Sequence, residues 1–348
     1  MKRIVYYLFA LSLLLILGSC IPSEPLHPWP ESWLCSVNAD GTGFRMIKKV
    51  DLSFGTTGFW DIYMTKDDRI IFYGEKLWIS ETDTIRPVSI TDNIYALQQL
   101  PARLSQSPDG SKLYFASRDK NIHELDLNTM LSRQLTAESI RTLRNPIVSD
   151  LGNYITYTSR GYGAPSKFTE YLYWMNLQSG EFETIPTIDS ICVNAFYSEI
   201  EDYVYYEGIN VKRSRLDGSE LSVISLGGSM YPYSAFDIST DMKYIIHIWD
   251  EYPTLDLKCY NKFTGISVQF PVTSAIDKVY LARICRDVNI VYYVSPGYPE
   301  KLHVYYPDTG EDTVILQSTS DLSISRFINI APTWDGSKVY FYADISVH

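Results

Sequence analysis

The stretch that decides the fold is Ser107-Pro108-Asp109-Gly110-Ser111-Lys112-Leu113-Tyr114-Phe115, a polar turn followed by a short strand-forming run. Pro presets its own φ angle, Asp bonds to the local backbone, and Gly takes the left-handed conformation of a tight turn. Close variants of the turn occur at Thr333-Trp334-Asp335-Gly336 and Ser239-Thr240-Asp241-Met242. The stretch predicts a β-hairpin, which accounts for these Asp and Ser residues without a catalytic role.

This unit recurs along the whole chain, each time as a β run that ends in an aromatic residue or His. From Phe72 to Phe341 the end points lie 43, 42, 49, 41, 45 and 49 residues apart. A four-stranded blade of a β-propeller takes about 40–50 residues. The sequence therefore predicts an all-β protein with a single β-propeller of four-stranded blades. The end points are Phe72, Phe115, Tyr157, Tyr206, His247, Tyr292 and Phe341.

Two kinds of turn accompany each run. A Ser or Thr precedes the end point by eight residues in five units, while Thr65 misses this register by one residue and Ile284 breaks it. A second strand pair with its own tight turn follows the run, as at Ser179-Gly180 and Asp217-Gly218. Such dipeptides between β runs are hairpin signals.

The two ends of the chain are predicted to share the last blade. The seventh unit starts at Asn329 and has only two strands before His348, and the missing pair lies at 32–37 and 44–47. Ring closure of this kind removes exposed sheet edges. We expect seven blades, with six blades and an additional hairpin as the alternative.

The Pro-Asp-Gly repeats resemble those of the TolB family of propellers, which also precede the peptidase domain in prolyl-oligopeptidase relatives. The resemblance covers nearly all of residues 32–348 and implies a propeller architecture. TolB-like propellers bind envelope proteins, so the resemblance implies a partner of that kind. Gly227-Gly228-Ser229-Met230-Tyr231 lacks the second Gly of a nucleophile elbow, so it gives no hydrolase signal.

The N-terminus has the features of a lipoprotein signal. A basic start and an apolar run lead to Leu17-Gly18-Ser19-Cys20, which resembles a lipobox. By that resemblance, residues 1–19 are the signal peptide, Cys20 carries the fatty acids (palmitate among them), and 20–31 form a Pro-rich tether. Ile21 after Cys20 favours outer-membrane sorting by family analogy. An ordinary secretory signal that contains a Cys is the alternative.

Charge and the remaining reactive side chains exclude several kinds of partner. The formal net charge is −11, and loss of Lys2 and Arg3 with the signal leaves 28 basic against 41 acidic residues, or −13. An acidic surface argues against nucleic acid and against docking on anionic lipid. We expect no cofactor, no metal site and a monomer. His123 and His303 occupy matching places in distant repeats, where strand packing explains them, and Cys35, Cys192, Cys259 and Cys285 are expected to be buried free thiols.

The predicted binding face lies at one end of the ring. In each blade the first and third turns share one end, here called the tight-turn face, and the second turn and the link to the next blade share the other, the long-loop face. Loops positioned by a scaffold tend to carry function, and Tyr, Trp and Arg are the usual anchors. The candidates on the long-loop face are Arg141, Arg144, Tyr162, Phe168, Tyr231, Tyr233, Trp249, Tyr252 and Tyr298.

These observations together indicate a membrane-anchored, non-catalytic binding scaffold of the bacterial cell envelope. Its partner is an envelope protein or a polysaccharide. A propeller enzyme or glycan-binding protein that acts on a polysaccharide is the alternative, since loop Tyr and Trp rings can stack on sugars. A purely structural envelope component is the third reading.

Overall fold

The turn-and-strand unit folds into a four-stranded antiparallel sheet, and it does so seven times. A computed structural model describes residues 31–50, 61–73, 77–82, 88–89, 104–117, 119–137, 141–160, 170–186, 194–208, 210–226, 236–251, 254–272, 282–295, 297 and 299–347. All of these residues belong to one compact unit, Glu31–His348.

The strands follow one another in the order that the repeat predicts. They are β1 (Glu31–Asn38), β2 (Arg45–Lys49), β3 (Asp61–Met64), β4 (Arg69–Tyr73), β5 (Leu77–Glu81), β6 (Val88–Ser89), β7 (Ser105–Gln106), β8 (Lys112–Ala116), β9 (Ile122–Asp126), β10 (Ser132–Gln134), β11 (Thr142–Val148), β12 (Tyr154–Arg160), β13 (Glu170–Asn176), β14 (Phe182–Ile185), β15 (Asn194–Ser198), β16 (Tyr203–Glu207), β17 (Val211–Ser214), β18 (Ser222–Ser225), β19 (Asp237–Ile238), β20 (Tyr244–Glu251), β21 (Thr254–Asn261), β22 (Ser267–Val272), β23 (Ala282–Ile284), β24 (Val291–Ser295), β25 (Lys301–Tyr306), β26 (Glu311–Leu316), β27 (Leu322–Pro332) and β28 (Lys338–Val347).

Blades 1 to 6 each consist of four consecutive strands, from β3–β6 to β23–β26, and blade 7 has the order β27-β28-β1-β2. The first strands of neighbouring blades contact one another, as β23 does with β27 and β27 with β3, so these strands line the centre of the ring. The protein is therefore a seven-bladed β-propeller, as predicted, and the six-bladed alternative is wrong.

The two chain ends meet in blade 7. Strand β1 pairs with β28 in unbroken register, from Glu31 opposite Ile345 to Asn38 opposite Lys338. Strand β27 begins at Leu322, seven residues before the predicted start at Asn329, because two bulges let it stay paired with β28 over a longer distance. The ring is closed by main-chain hydrogen bonds between strands from opposite ends of the sequence.

The core is divided among the junctions between blades. Within the described residues, the buried apolar side chains form seven clusters, one at each junction, including the junction between blades 7 and 1. Burial of apolar surface at every junction stabilises each blade only against its two neighbours. The fold therefore depends on closure of the whole ring.

Several turns of the repeat share a hydrogen bond in which the side-chain hydroxyl of the Ser or Thr accepts from a backbone N–H. The Ser107 hydroxyl accepts a hydrogen bond from the Lys112 N–H at 2.9 Å and donates one to Asp109 at 2.5 Å. In blade 1, Thr65 bonds to Arg69 instead, four residues on, because this turn is one residue shorter. That difference explains why Thr65 misses the register. The same bond to the fifth residue on is made by Ser149, Ser239 and Thr333.

Blade 6 departs from the repeat in a way that corrects the predicted end point. Cys285 takes the place of the Ser or Thr, and its N–H donates to the Ile290 carbonyl at 2.8 Å, as the Ser107 N–H does to Lys112. Phe115 lies three residues after the acceptor Lys112, and Tyr293 lies three residues after the acceptor Ile290. Tyr293, and not Tyr292, is therefore the equivalent of Phe115. The register broken at Ile284 is thus restored one residue later.

Two predicted loops on the long-loop face are shorter than expected. Trp249 lies within β20, and only residues 252 and 253 separate Glu251 from Thr254, because β20 and β21 stay paired to their ends. Arg144 lies within β11, which starts at Thr142.

Cys35, Cys259 and Cys285 are buried free thiols, as expected, whereas Cys192 lies outside the described residues.

Candidate functional site

Most of the predicted binding-face residues fall outside the described part of the chain. Of Trp249 only the backbone, in β20, is described, while Arg141 and Arg144 are described fully. Across the described ranges, no helix is long and apolar enough to cross a bilayer. The residues outside the described part are Cys20, Tyr162, Phe168, Tyr231, Tyr233, Tyr252 and Tyr298.

Arg141 belongs to a stack of planar side chains at the long-loop end of blade 3. Its guanidinium carbon lies 4.6 Å from the centroid of the Tyr171 ring, and it also donates a hydrogen bond to the Tyr173 hydroxyl. The Tyr173 ring stacks on Tyr157 with centroids 5.4 Å apart and planes 7° apart. We call Arg141, Tyr157, Tyr171 and Tyr173 the Arg141 platform.

The position of the platform follows from strand register. Thr142, next to Arg141, pairs with Arg160 at the end of β12, and Tyr171 pairs with Ser159 near the start of β13. The Tyr171 side chain is exposed enough to meet a ligand, at 39%. Sequence reasoning identified Arg141 but missed Tyr171, which directly follows the predicted loop 159–170.

Arg144 is separated from the loops because it lies on an inner strand. It pairs with Thr158, and the register of β11 shifts between Arg144 and Ile147. Asn145, at this bulge, has a positive φ of 49°. β11 is the innermost strand of blade 3 and contacts the first strands of the two neighbouring blades, so Arg144 lies on the inner strand and not in a loop.

On the tight-turn face, hydrogen bonds and ion pairs connect each blade to the next, and polar groups of the turns take part in them. At Asp109, hydrogen bonds from Ser107 and Ser111 hold the pKa of the carboxyl below its usual value. This face is therefore a fixed frame. Among the described residues, the bonds that cross junctions include Lys66 to Pro108 (2.8 Å), Val148 to Ser105 (3.0 Å), Ser198 to Asp150 (2.6 Å), Lys262 to Glu201 (2.5 Å), Asn289 to Asp241 (2.8 Å), Tyr292 to Gly336 (2.7 Å) and Trp334 to Met64 (3.0 Å).

The two histidines in matching places pack within their own blades, as predicted. The His123 ring stacks on Phe115 at 5.6 Å, and its Nε2 lies 2.8 Å from Asp119. The His303 ring stacks on Tyr293 at 4.6 Å, and its Nδ1 lies 3.2 Å from Asp312. Each imidazole thus has an aromatic ring on one side and a carboxylate beside it.

A pocket opens in the central channel near the tight-turn face. The empty space among its lining side chains, including the part that is open to solvent, is about 590 Å³. The sequence did not reveal this pocket, although blade 6 supplies both of the arginines in its lining, Arg283 and Arg286, next to Ile284 where the repeat is broken. Its lining residues are Ile62, Tyr63, Met64, Leu104, Asp237, Arg283, Ile284, Cys285, Arg286, Ile330, Ala331, Pro332 and Trp334.

Comparison with known proteins supports the fold and leaves the activity open. No protein-family model matches the sequence, and no curated protein sequence is similar to it. An oligogalacturonate lyase in complex with manganese shares the fold with a TM-score of 0.57, at 11% identity over 82% of this chain and 88% of that chain.

Two TolB structures also share the fold. TolB from Acinetobacter baumannii matches with a TM-score of 0.51 and 15% identity over 90% of this chain and 65% of that chain. A putative TolB from Agrobacterium tumefaciens matches with a TM-score of 0.52 and 12% identity over 90% and 98%. The TolB-like propeller predicted from the repeats is confirmed, and at these identities the likeness concerns the fold alone.

The described residues do not offer the ligands that a manganese ion needs. No three His, Cys, Asp or Glu side chains are grouped as a metal site anywhere in the described ranges. His123, His247 and His303 lie in blades 2, 5 and 6 and are held within strands. We therefore derive no metal-dependent step for this chain.

Proposed function

We propose that this protein is a membrane-anchored binding scaffold of the cell envelope, and that it holds its partner on the long-loop face. The observation that carries the proposal is the Arg141 platform. Arginine and tyrosine are enriched among the residues that contribute most to binding at protein interfaces. Arg141 and Tyr171 present both at one end of the ring.

The entry of the chain supports the same face. Glu31 pairs with Ile345, near the C-terminal end of β28, so β1 begins at the long-loop end of blade 7. Residues 21–31 extend at most about 36–40 Å. If Cys20 is acylated, Glu31 at this end of blade 7 stays within that distance of the membrane, which would suit a membrane-associated partner.

The tight-turn face is the weaker candidate because its polar groups already have internal partners. It nevertheless offers a matched control for the platform. The Arg213 guanidinium carbon lies 4.6 Å from the centroid of Tyr203, the same separation as in the Arg141–Tyr171 pair. Tyr203 begins β16, at the tight-turn end of blade 4.

The deciding experiment compares these two pairs. Arg141→Ala with Tyr171→Ala should abolish co-purification of the crosslinked partner from the native host, because truncation of a central anchor costs about 2 kcal/mol or more in binding. Arg213→Ala with Tyr203→Ala should leave capture unchanged. Capture that survives the first pair and is lost with the second, both proteins being folded, would show that the partner binds the other face.

Membrane attachment has its own test. Cys20→Ser should leave an unacylated precursor that no longer partitions into detergent and no longer incorporates labelled palmitate. Processing and labelling that persist in Cys20→Ser would overturn the lipid anchor and leave the ordinary secretory signal.

A second candidate function is action on, or binding to, a polysaccharide, and the oligogalacturonate lyase fold favours it. The exposed Tyr171 ring of the Arg141 platform could also stack on a sugar ring. Release of new reducing ends from polygalacturonate by the purified protein would support an enzyme. Retention on the polymer without cleavage would support a glycan-binding scaffold.

A further inference from the structure

Equivalent positions of four neighbouring blades contribute to the lining of the pocket in the channel. The residue two places before the turn Ser, Thr or Cys is Asp237 in blade 5, Arg283 in blade 6, Ala331 in blade 7 and Tyr63 in blade 1. Ala331 has the smallest side chain of the four. It lines the pocket together with Arg283 and Tyr63 of the two blades on either side.

Arg283 has an unusual environment for a half-buried charge. Its guanidinium donates a hydrogen bond to the carbonyl of the preceding Ala282, at 3.3 Å, and no carboxylate of the described residues lies within ion-pair distance. Burial of a charge is costly unless it is paired or well hydrogen-bonded. The guanidinium therefore has donors left for a group that enters the pocket.

Arg286 adds a second guanidinium that Asp237 balances. Its Nη2 lies 3.7 Å from the Asp237 carboxylate, and the two side chains are only 22% and 8% exposed. Asp335, at the neighbouring turn, is occupied by Thr333 and Ser337. The pocket thus contains two fixed positive charges and one negative charge.

We propose that this pocket binds the carboxylate group of a small ligand, with Arg283 as its principal partner. A guanidinium fork matches a planar carboxylate with two parallel hydrogen bonds, which a lysine cannot reproduce. Arg286 adds positive charge beside it, and the Tyr63 and Trp334 rings border the remainder of the ligand. The site lies at the tight-turn end of the channel and is separate from the Arg141 platform.

The test uses matched pairs of charged and neutral probes. Calorimetry or ligand-observed NMR on the purified protein should show binding of succinate and none of succinamide, and added salt should weaken it. Two further probes distinguish the sources of a carboxylate: D-galacturonate represents a sugar acid, and glycylglycine, compared with its C-terminal amide, represents a peptide end.

Variants of Arg283 locate the site. Arg283→Gln should weaken succinate binding about tenfold or more, and Arg283→Lys should restore only part of it, which covers the case in which Gln disturbs folding. Arg326→Gln, which removes an exposed arginine of β27, should have no effect. Equal binding of acid and amide, or unchanged affinity in both Arg283 variants, would overturn the proposal.

The outcome is independent of the scaffold function. Arg141→Ala with Tyr171→Ala should leave succinate binding unchanged, and Arg283→Gln should leave capture of the envelope partner unchanged. A protein that binds carboxylates but captures no partner would refute the scaffold function alone.

Discussion

Blade 7 and blade 2 are built on the same turn and contain the same buried aromatic position, yet they differ in how far their strands extend. In blade 7, β27 and β28 have 11 and 10 residues. In blade 2, β7 and β8 have 2 and 5. Blade 7 also contributes to the junction cluster that contains Phe327 and Phe341.

The difference follows from chain connectivity. The strands of blade 2 are joined in sequence, so little loop-closure entropy is lost when they pair. In blade 7, β1 and β28 come from opposite ends of the propeller, and their pairing closes a loop of nearly the whole chain. The entropy of closure grows with loop length, and longer strands with a larger apolar cluster offset it.

The largest expected effect comes from breaking this closure. Deletion of residues 31–49 removes β1 and β2, and we expect loss of more than about 5 kcal/mol, the lower end of a typical domain's stability. Chemical unfolding of the propeller, followed by circular dichroism, measures the loss. Deletion of the preceding residues 21–30 is the control and should leave the unfolding midpoint unchanged. Equal stability of the two truncated proteins would contradict ring closure as the source of cooperativity.

A smaller effect compares one position in the two blades. Phe341 and Phe115 are equivalent and fully buried, and replacement of either by Ala should cost about 3–5 kcal/mol. Phe341→Ala should cost more, because Phe327 packs against it at 5.4 Å, whereas Phe115 stacks on the polar His123 ring.

The thiol of Cys35 opposite Phe341 reports on the same event. Its pKa is raised to about 12 by burial, so it reacts only when blade 7 opens. Phe341→Ala should accelerate its labelling, and Phe115→Ala should not. Equal acceleration in both variants would mean that all blades open together.

The smallest effect concerns pH. In blade 6, His303 occupies the position that Cys35 occupies in blade 7. Burial lowers the pKa of His303, although Asp312 opposes the shift. The unfolded chain therefore takes up a proton at higher pH than the folded protein. Stability from this group is present above about pH 6.5, the ordinary pKa of His, and is lost as the pH falls from there towards the lower pKa of the folded state.

The variant His303→Gln removes this titration. Its thermal midpoint should fall less on acidification than that of the parent protein, and Cys35→Ser, which titrates nothing in this range, should behave like the parent. An unchanged pH profile in His303→Gln would mean that other groups govern acid sensitivity.

The sequence was sufficient for the architecture because the signals are local and repeated. Ser107 and its counterparts fix the turns, the aromatic end points fix the spacing, and the unpaired strands near both termini predict the closure. Thr65 and Cys285 were harder to interpret, because the turn at Thr65 is one residue shorter and Cys285 takes the place of the Ser or Thr, while the backbone bonding is the same.

The sites were only partly predictable because they depend on how blades face one another. Arg141 could be placed at the long-loop end from strand order, but its stack with Tyr171 depends on the link from blade 2 meeting the third strand of blade 3. Arg283, Ala331 and Tyr63 lie far apart in sequence, and no local signal shows that they surround one cavity. The broken repeat at Ile284 was the available clue.

The register of β1 has a mechanical consequence. A pull applied at Glu31, directed away from the long-loop face, acts along β1 and loads its bonds to β28 in shear. Shear stretches the eight residue pairs from Glu31 to Asn38 together, whereas pulling across a strand would separate them one at a time. Forced unfolding by a pull at Glu31 should therefore need more force than forced unfolding by a pull at an internal turn.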